Sequence, residues 1–339
     1  MKAIQIREPH KIGVIQMEAP ELRPGQAIIR VRSMGICGSD VAAYRGTSPN
    51  VTYPLIIGHE TAGTVYRIAE DNPQGFKAGD RVVLDPYMFC GHCYPCSKGR
   101  TNCCETLKCL GVQTDGSMCE YFSHPVSQLC RIPEGMTWEH AAIAEPLTIA
   151  LHAIHTVELQ AGEHFAIIGS GPIGLLAAMA CREYGGIPVV LDVDDGRLET
   201  AKNCGVERVV NVASQNAAAE LKKITGGRMA ECVMEASGSI PAVAASLTYA
   251  ARTGRIALTG WPKGKVELDT ATITRNELQI RGSRTSVGEF PEAIRLIHSG
   301  KVDVRKVLSK VVPFDEIPQA VRDLDEHPGE FIKVVGVMD

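Results

Sequence analysis

Five of the twelve cysteines in this chain fall between positions 90 and 104, with the spacing of metal ligands. In Cys90-Gly-His-Cys93-Tyr-Pro-Cys96, two residues separate successive thiols, and seven more separate Cys96 from Cys104. Two-residue gaps let thiolates turn toward one point, so Cys90, Cys93, Cys96 and Cys104 can enclose a tetrahedral Zn2+. Four protein ligands leave no open coordination position, which makes such a site structural. Cys103, beside Cys104, and His92, inside the loop, are competing ligands. A redox cluster that binds no metal is the other reading.

A second motif suits phosphate. Gly169-Ser-Gly171-Pro172-Ile173-Gly174 follows an apolar strand-like run and opens a helical one. The first glycine permits a sharp turn, the second lets a pyrophosphate approach the backbone, and the third lets helix and strand pack closely. The helix N-terminus adds free N–H groups and a partial positive charge. A tight turn with no ligand would use the same residues. The next strand ends at Asp192, near the spacing at which a carboxylate accepts both ribose hydroxyls. Asp192, Asp194 and Asp195 would repel a 2′-phosphate, and no base follows until Arg197, which joins the candidate cofactor residues. That favours NAD over NADP. Asp192 could instead cap the next helix.

Cys37 in Gly35-Ile-Cys-Gly-Ser39-Asp, His59 and Glu60 in Gly58-His-Glu60, and Glu145 in Ala144-Glu-Pro-Leu147 also carry metal-binding side chains. Each alone has a plain alternative: a core thiol, a structural imidazole, a helix N-terminal charge. Cys181, Cys204 and Cys232 stand isolated in apolar surroundings and read as packing residues.

These side chains need elements to position them. Up to about residue 135 the chain is a series of short alternating runs, such as Ala27–Ser33, Thr61–Ala69 and Arg81–Leu84, punctuated by Gly and Pro. That predicts a compact, mainly β domain. From Glu139 to Val157 apolar residues recur at helical spacing, with an interruption expected at Pro146. Strand and helix signals then alternate: His164–Gly169, Pro172–Tyr184, Pro188–Asp192, Asp194–Asn203, Val209–Val212, Cys232–Ala236 and Arg255–Thr259. Such alternation predicts a parallel sheet covered by helices. After about Ser283, amphipathic helices at Glu289–Ser299 and Ile317–Glu326 alternate with strands at Lys310–Val312 and Phe331–Val335.

Composition narrows the function. At 339 residues, two domains are expected. A net charge of −4 and 5% aromatic residues argue against a nucleic-acid surface. No apolar run is long enough to span a bilayer, and the first ten residues lack the apolar core of an export signal. The expected place is the cytoplasm, where clustered cysteines more often bind metal than form disulfides.

GICGSD, GHE, the cysteine spacing, EPL and GSGPIG occur in an order that resembles the zinc-dependent medium-chain dehydrogenases, over essentially the whole chain. The sorbitol dehydrogenase branch, with its bacterial sugar-acid dehydrogenases, is the most similar. The resemblance implies an α/β protein with a GroES-like β-rich catalytic domain from residues 1–148 and 283–339. A Rossmann domain, doubly wound on a parallel sheet, would occupy residues 149–282. It makes Cys37 and His59 catalytic zinc ligands, with Glu60 binding directly as in the sorbitol branch and Glu145 binding directly or through water. It assigns the structural zinc to Cys90, Cys93, Cys96 and Cys104, against Cys103. Zinc there supplies Lewis acidity, and NAD takes the hydride. Ser39 matches a hydroxyl that passes the alcohol proton onward. Many relatives carry a histidine five residues after the ligand cysteine, where this chain has Ala42, so the proton is expected to leave through Tyr44, the ribose or water.

Gly282-Ser-Arg284 resembles a segment near the active site of polyol and sugar-acid relatives, where Arg284 could pair with a substrate carboxylate. Arg284 could equally form a surface or interdomain ion pair. The expected reaction is oxidation of a secondary alcohol in a sugar acid such as L-galactonate or L-gulonate, or in a polyol. The rivals are a threonine dehydrogenase-like enzyme and a non-catalytic zinc- and nucleotide-binding sensor. A homodimer or homotetramer is expected.

Overall fold

The alternating runs near the N-terminus become strands in the computed structural model, which describes residues 1–338. In chain order the first strands are β1 (Lys2–Glu8), β2 (Lys11–Gln16), β3 (Gln26–Ile36), β4 (Leu55–Ile56), β5 (Glu60–Ile68) and β6 (Arg81–Leu84). Next come β7 (Tyr87–Met88), β8 (Lys108–Cys109), β9 (Tyr121–Pro125) and β10 (Leu129–Arg131). The middle of the chain adds β11 (His164–Ile168), β12 (Ile187–Asp192), β13 (Arg208–Asn211), β14 (Ala230–Glu235), β15 (Ala250–Leu258) and β16 (Gln279–Gly282). The last strands are β17 (Leu308–Pro313) and β18 (Lys333–Val337). The helices that matter below are α1 (Gly38–Tyr44), α2 (Tyr94–Ser97), α3 (Trp138–Ala142), α4 (Ala144–Thr156), α5 (Pro172–Glu183) and α6 (Asp195–Asn203).

The chain divides into two compact units. One comprises Met1–Glu145, Phe290–His298 and Leu308–Asp339; the other comprises Pro146–Glu289 and Ser299–Val307. The expected return point, 283, thus moves to Phe290, and a short later segment rejoins the second unit.

The first unit is β-rich. Its largest sheet runs β10-β6-β5-β3-β18-β17, with β9 also paired to β3. β3 extends past the expected Ser33 because Met34, Gly35 and Ile36 are buried and keep the strand in its core. The C-terminal β18 pairs antiparallel with β3, Val334 opposite Ile36. Both ends of the chain therefore build one sheet.

The second unit is a six-stranded sheet in the order β13-β12-β11-β14-β15-β16. Every adjacent pair in it is parallel. All five residues of β11 are buried, as a central strand covered on both faces requires. Successive strands are added on one side of β11 as far as β13 and on its other side from β14 onward, so the β11–β14 boundary is the switch point at which such sheets bind ligands beyond the strand C-termini.

Pro146 does not break its helix. α3 ends at Ala142, and α4 begins at Ala144, so Pro146 lies in the first turn. No backbone N–H is needed there. Helices at Ala217–Ile224, Ile240–Tyr249 and Thr270–Asn276 complete the second unit and lay outside the sequence expectations.

Candidate active site

The cysteine knot gathers as its spacing requires. One sulfur from each of Cys90, Cys93, Cys96 and Cys104 lies within 4.8 Å of the others. Amides of the loop already face the sulfurs: Cys90 N donates to Cys104 Sγ at 3.3 Å, and Cys93 N to Cys90 Sγ at 3.4 Å. The Cys90 amide bond pulls the Cys104 thiol down to about 6, while burial pushes Cys96 up to about 12. Four sulfurs crowded this closely cannot all ionise without a cation among them, so the donor set fits Zn2+. Both competitors stand apart. Cys103 is exposed, and His92 Nδ1 faces the Cys90 carbonyl at 2.9 Å.

The dispersed residues meet in the first unit. β3 ends at Ile36 and delivers Cys37 to the N-cap of α1. Asp40 ties two ligand-bearing segments together: its carboxylate accepts from Cys37 N at 2.8 Å and from Gly58 N, beside His59, at 3.3 Å. The β3–β5 register sets Glu60 opposite Gly35. Only glycine fits at 35, because a methyl there would collide with the Glu60 carboxylate. One ligand atom each from Cys37, His59 and Glu60 lies within 4.8 Å of the others.

Electrostatics at this cluster favour a cation. Glu60 Oε1 accepts from Lys333 Nζ at 2.5 Å, while the buried Glu60 Oε2 has no hydrogen-bond partner. Lys333 Nζ also donates to the Ile36 carbonyl at 3.1 Å. Burial opposes the charge on Lys333, but Glu60 and Cys37 outweigh it and raise its pKa. A bare buried carboxylate oxygen beside a thiol and an imidazole is costly unless a cation completes it. Sulfur, nitrogen and oxygen donors in that number suit a zinc site with a coordination position to spare.

Glu145 is buried nearby but outside the set that closes to 4.8 Å. Its Oε1 accepts from the Tyr87 hydroxyl. Burial, then the charge of Glu60, raises its pKa against the opposing pull of His59. Ser39 lies in the first turn of α1 with its buried Oγ unpartnered. Tyr44 ends the same helix and is largely buried. Its ring packs among Ile4, Ile6, Val31 and Met34 and meets His10 edge-on at 5.3 Å.

The glycine loop joins β11 to α5 in the second unit. Gly169 has φ +103°, which favours glycine, and a methyl at Gly174 would strike the Gly169 carbonyl. Pro172 opens the helix behind Gly171 at the N-cap, followed by Ile173. Asp192 Oδ2 accepts from Ser170 N at 2.7 Å and Ser170 Oγ at 2.6 Å, bracing the loop. Burial works against its charge, but these bonds and those from Val193 and Asp194 prevail and lower its pKa. Asp192 does not cap the following helix; Asp194 does, accepting from Arg197 N at 2.9 Å. Arg197 sits in that helix's first turn.

Two family models match the chain: the alcohol dehydrogenase GroES-like domain over residues 23–134 and the zinc-binding dehydrogenase over 172–299. An uncharacterised zinc-type alcohol dehydrogenase-like protein of Haemophilus influenzae is 48% identical, covering 99% of this chain and 98% of the relative. The chain belongs to the zinc-binding alcohol dehydrogenases. Within that family it is sorbitol dehydrogenase-like. Sorbitol dehydrogenase of Bacillus subtilis is 32% identical, over 99% of this chain and 96% of the relative. The 2-dehydro-3-deoxy-L-galactonate 5-dehydrogenase of Pseudoalteromonas atlantica is 33% identical, over 97% and 96%. An alcohol dehydrogenase from Escherichia coli CFT073, solved with NADH, superposes with a TM-score of 0.92 at 32% identity, covering 100% of this chain and 99% of that one.

Sequence reasoning missed several residues of this zinc-binding dehydrogenase. Lys333 left one signal, a lone cation opening an apolar strand. Tyr87 and Cys109 left none. They face each other across the β7–β8 pair, and Cys109 lies within electrostatic range of His59, Glu145 and Cys37. Burial pushes the Cys109 thiol up to about 12. In the second unit, buried Glu235 accepts from Ser237 N at 2.9 Å and Gly238 N at 3.1 Å, bracing the loop beside Gly169.

Proposed function

We propose that this dehydrogenase oxidises a secondary alcohol of a sugar acid or polyol to a ketone, with NAD as hydride acceptor, at the Cys37–His59–Glu60 cluster. Two observations carry this reading: one ligand atom each from Cys37, His59 and Glu60 lies within 4.8 Å of the others, and the buried Glu60 Oε2 has no hydrogen-bond partner. Zinc held by these three residues supplies Lewis acidity to the alcohol oxygen. The reaction removes a proton from the hydroxyl and a hydride from its carbon, and NAD held at the glycine loop would accept the hydride. Ser39 Oγ, buried and unpartnered, takes the proton. Past Ala42, Tyr44, the ribose and water are the onward routes. Ser39→Ala is expected to lower kcat about a hundredfold, in the range of a positioned proton-transfer group. Unchanged turnover across several pH values would remove Ser39 from the mechanism.

Arg284 supports the sugar acid. It follows β16 at the C-terminal edge of the parallel sheet, its guanidinium 6.0 Å from the ring centre of Trp261, which is 69% exposed. A guanidinium beside an exposed aromatic face suits a carboxylated polyhydroxy chain. A panel of hexonates, including L-galactonate and L-gulonate, with neutral polyols and L-threonine, followed by NADH absorbance, tests the reading. We expect kcat/KM on one hexonate at least about tenfold above any polyol, the worth of one charged contact. Activity confined to neutral polyols rejects the acid preference; activity confined to threonine replaces the substrate class. We further read the protein as a cytoplasmic homo-oligomer, dimer or tetramer; β16, the edge strand of the six-stranded sheet, offers unpaired backbone to a second copy.

A further inference from the structure

Two buried carboxylates attend the Cys37–His59 cluster, and the chain treats them differently. Glu60 joins the cluster, with its Oε1 clamped by the Lys333 ammonium at 2.5 Å and its buried Oε2 without a hydrogen-bond partner. Glu145 is bound by a neutral hydroxyl, that of Tyr87, and stays outside the cluster.

Tyr87 is itself rigidly placed. It is buried, its amide donates to Asp85 Oδ1 at 3.1 Å, and its carbonyl accepts from Gln128 Nε2 at 2.6 Å. These bonds fix the Tyr87 backbone, and burial confines the ring whose hydroxyl meets Glu145. Three donors plus Glu145 would make four protein ligands and close the coordination sphere, whereas catalysis needs an open position.

The geometry points to Tyr87 as a positioning residue that holds Glu145 back from the metal and keeps the substrate's coordination position open. This rests on Cys37, His59 and Glu60 holding the catalytic zinc. A phenylalanine at 87 would remove the Tyr87 hydroxyl from Glu145 Oε1, weakening what holds this buried carboxylate away from a nearby cation. Without that hydroxyl, Glu145 then competes with any incoming ligand.

The test uses the full-length zinc-loaded enzyme, Tyr87→Phe, and Tyr87→Phe combined with Glu145→Gln. Zinc content, competition against a chromophoric chelator for the more labile zinc, and imidazole titration of the cobalt-substituted enzyme by visible absorption are measured together. Tyr87→Phe is expected to hold the labile metal about tenfold more tightly and to bind imidazole about tenfold more weakly, the scale of outer contacts around metal sites. Adding Glu145→Gln returns imidazole binding to near the wild-type value. A residue with a merely structural role would weaken metal binding instead. Two zincs per chain, with metal and imidazole binding in Tyr87→Phe unchanged or both weakened, overturns the role of Tyr87 alone. A wild-type enzyme holding one zinc, resistant to His59→Ala, overturns the reading beneath it.

Discussion

His59→Ala is expected to cut turnover at least about a thousandfold and reduce bound zinc from two per chain to one. The imidazole is one of three donors that close to 4.8 Å, so its loss leaves Cys37 and Glu60 with too few partners to hold the ion. Lewis acidity at a reacting oxygen contributes several kcal/mol, and each 1.36 kcal/mol is about a factor of ten. NADH binding, followed by fluorescence, should stay within about twofold, because the glycine loop and Asp192 belong to the other compact unit. Alanine at 59 with full turnover and one zinc would show that the chemistry lies elsewhere.

Cys104→Ser is expected to remove the other zinc and to cost both stability and activity, whereas Cys103→Ser should change neither. Cys104 belongs to the four-sulfur set, while Cys103 beside it is exposed. Structural zinc contributes folding free energy directly, on the order of 10 kcal/mol in small isolated domains. Loss of about 3 kcal/mol of that support would lower Tm by on the order of 10 °C. Activity should fall as well, because the knot lies between β7 and β8 and closes the chain that connects them. β7 carries Tyr87, which binds Glu145, and β8 carries Cys109. Calorimetry with zinc analysis of both serine variants checks this. Equal losses in the two would mean that the knot does not select Cys104.

Much of this was legible in the residues. Elements with strong periodicity lie close to their expected bounds; Arg81–Leu84 and Ile317–Glu326 coincide with them. The errors are local and physical. Pro146 reads as a helix breaker, but a first-turn proline leaves no hydrogen bond unmade. Asp192 reads as a helix cap as well as a ribose acceptor; Asp194 caps that helix instead, and two of the four hydrogen bonds to Asp192 come from Ser170 of the glycine loop.

By itself the sequence determined the cysteine knot and the glycine loop. In both, neighbouring residues must converge within a turn or two, and chain geometry restricts where their atoms can go. The catalytic cluster depends on pairing across the fold. Cys37 and Glu60 meet through the antiparallel register of β3 and β5, and Gly35 leaves room for the carboxylate. Lys333 reaches Glu60 from 273 residues away because β18 returns beside β3. Tyr87 finds Glu145 across 58 residues. Spacing along the chain carries no trace of such meetings; sheet register and burial decided them, and with them which carboxylate stands bare for a metal and which is held back.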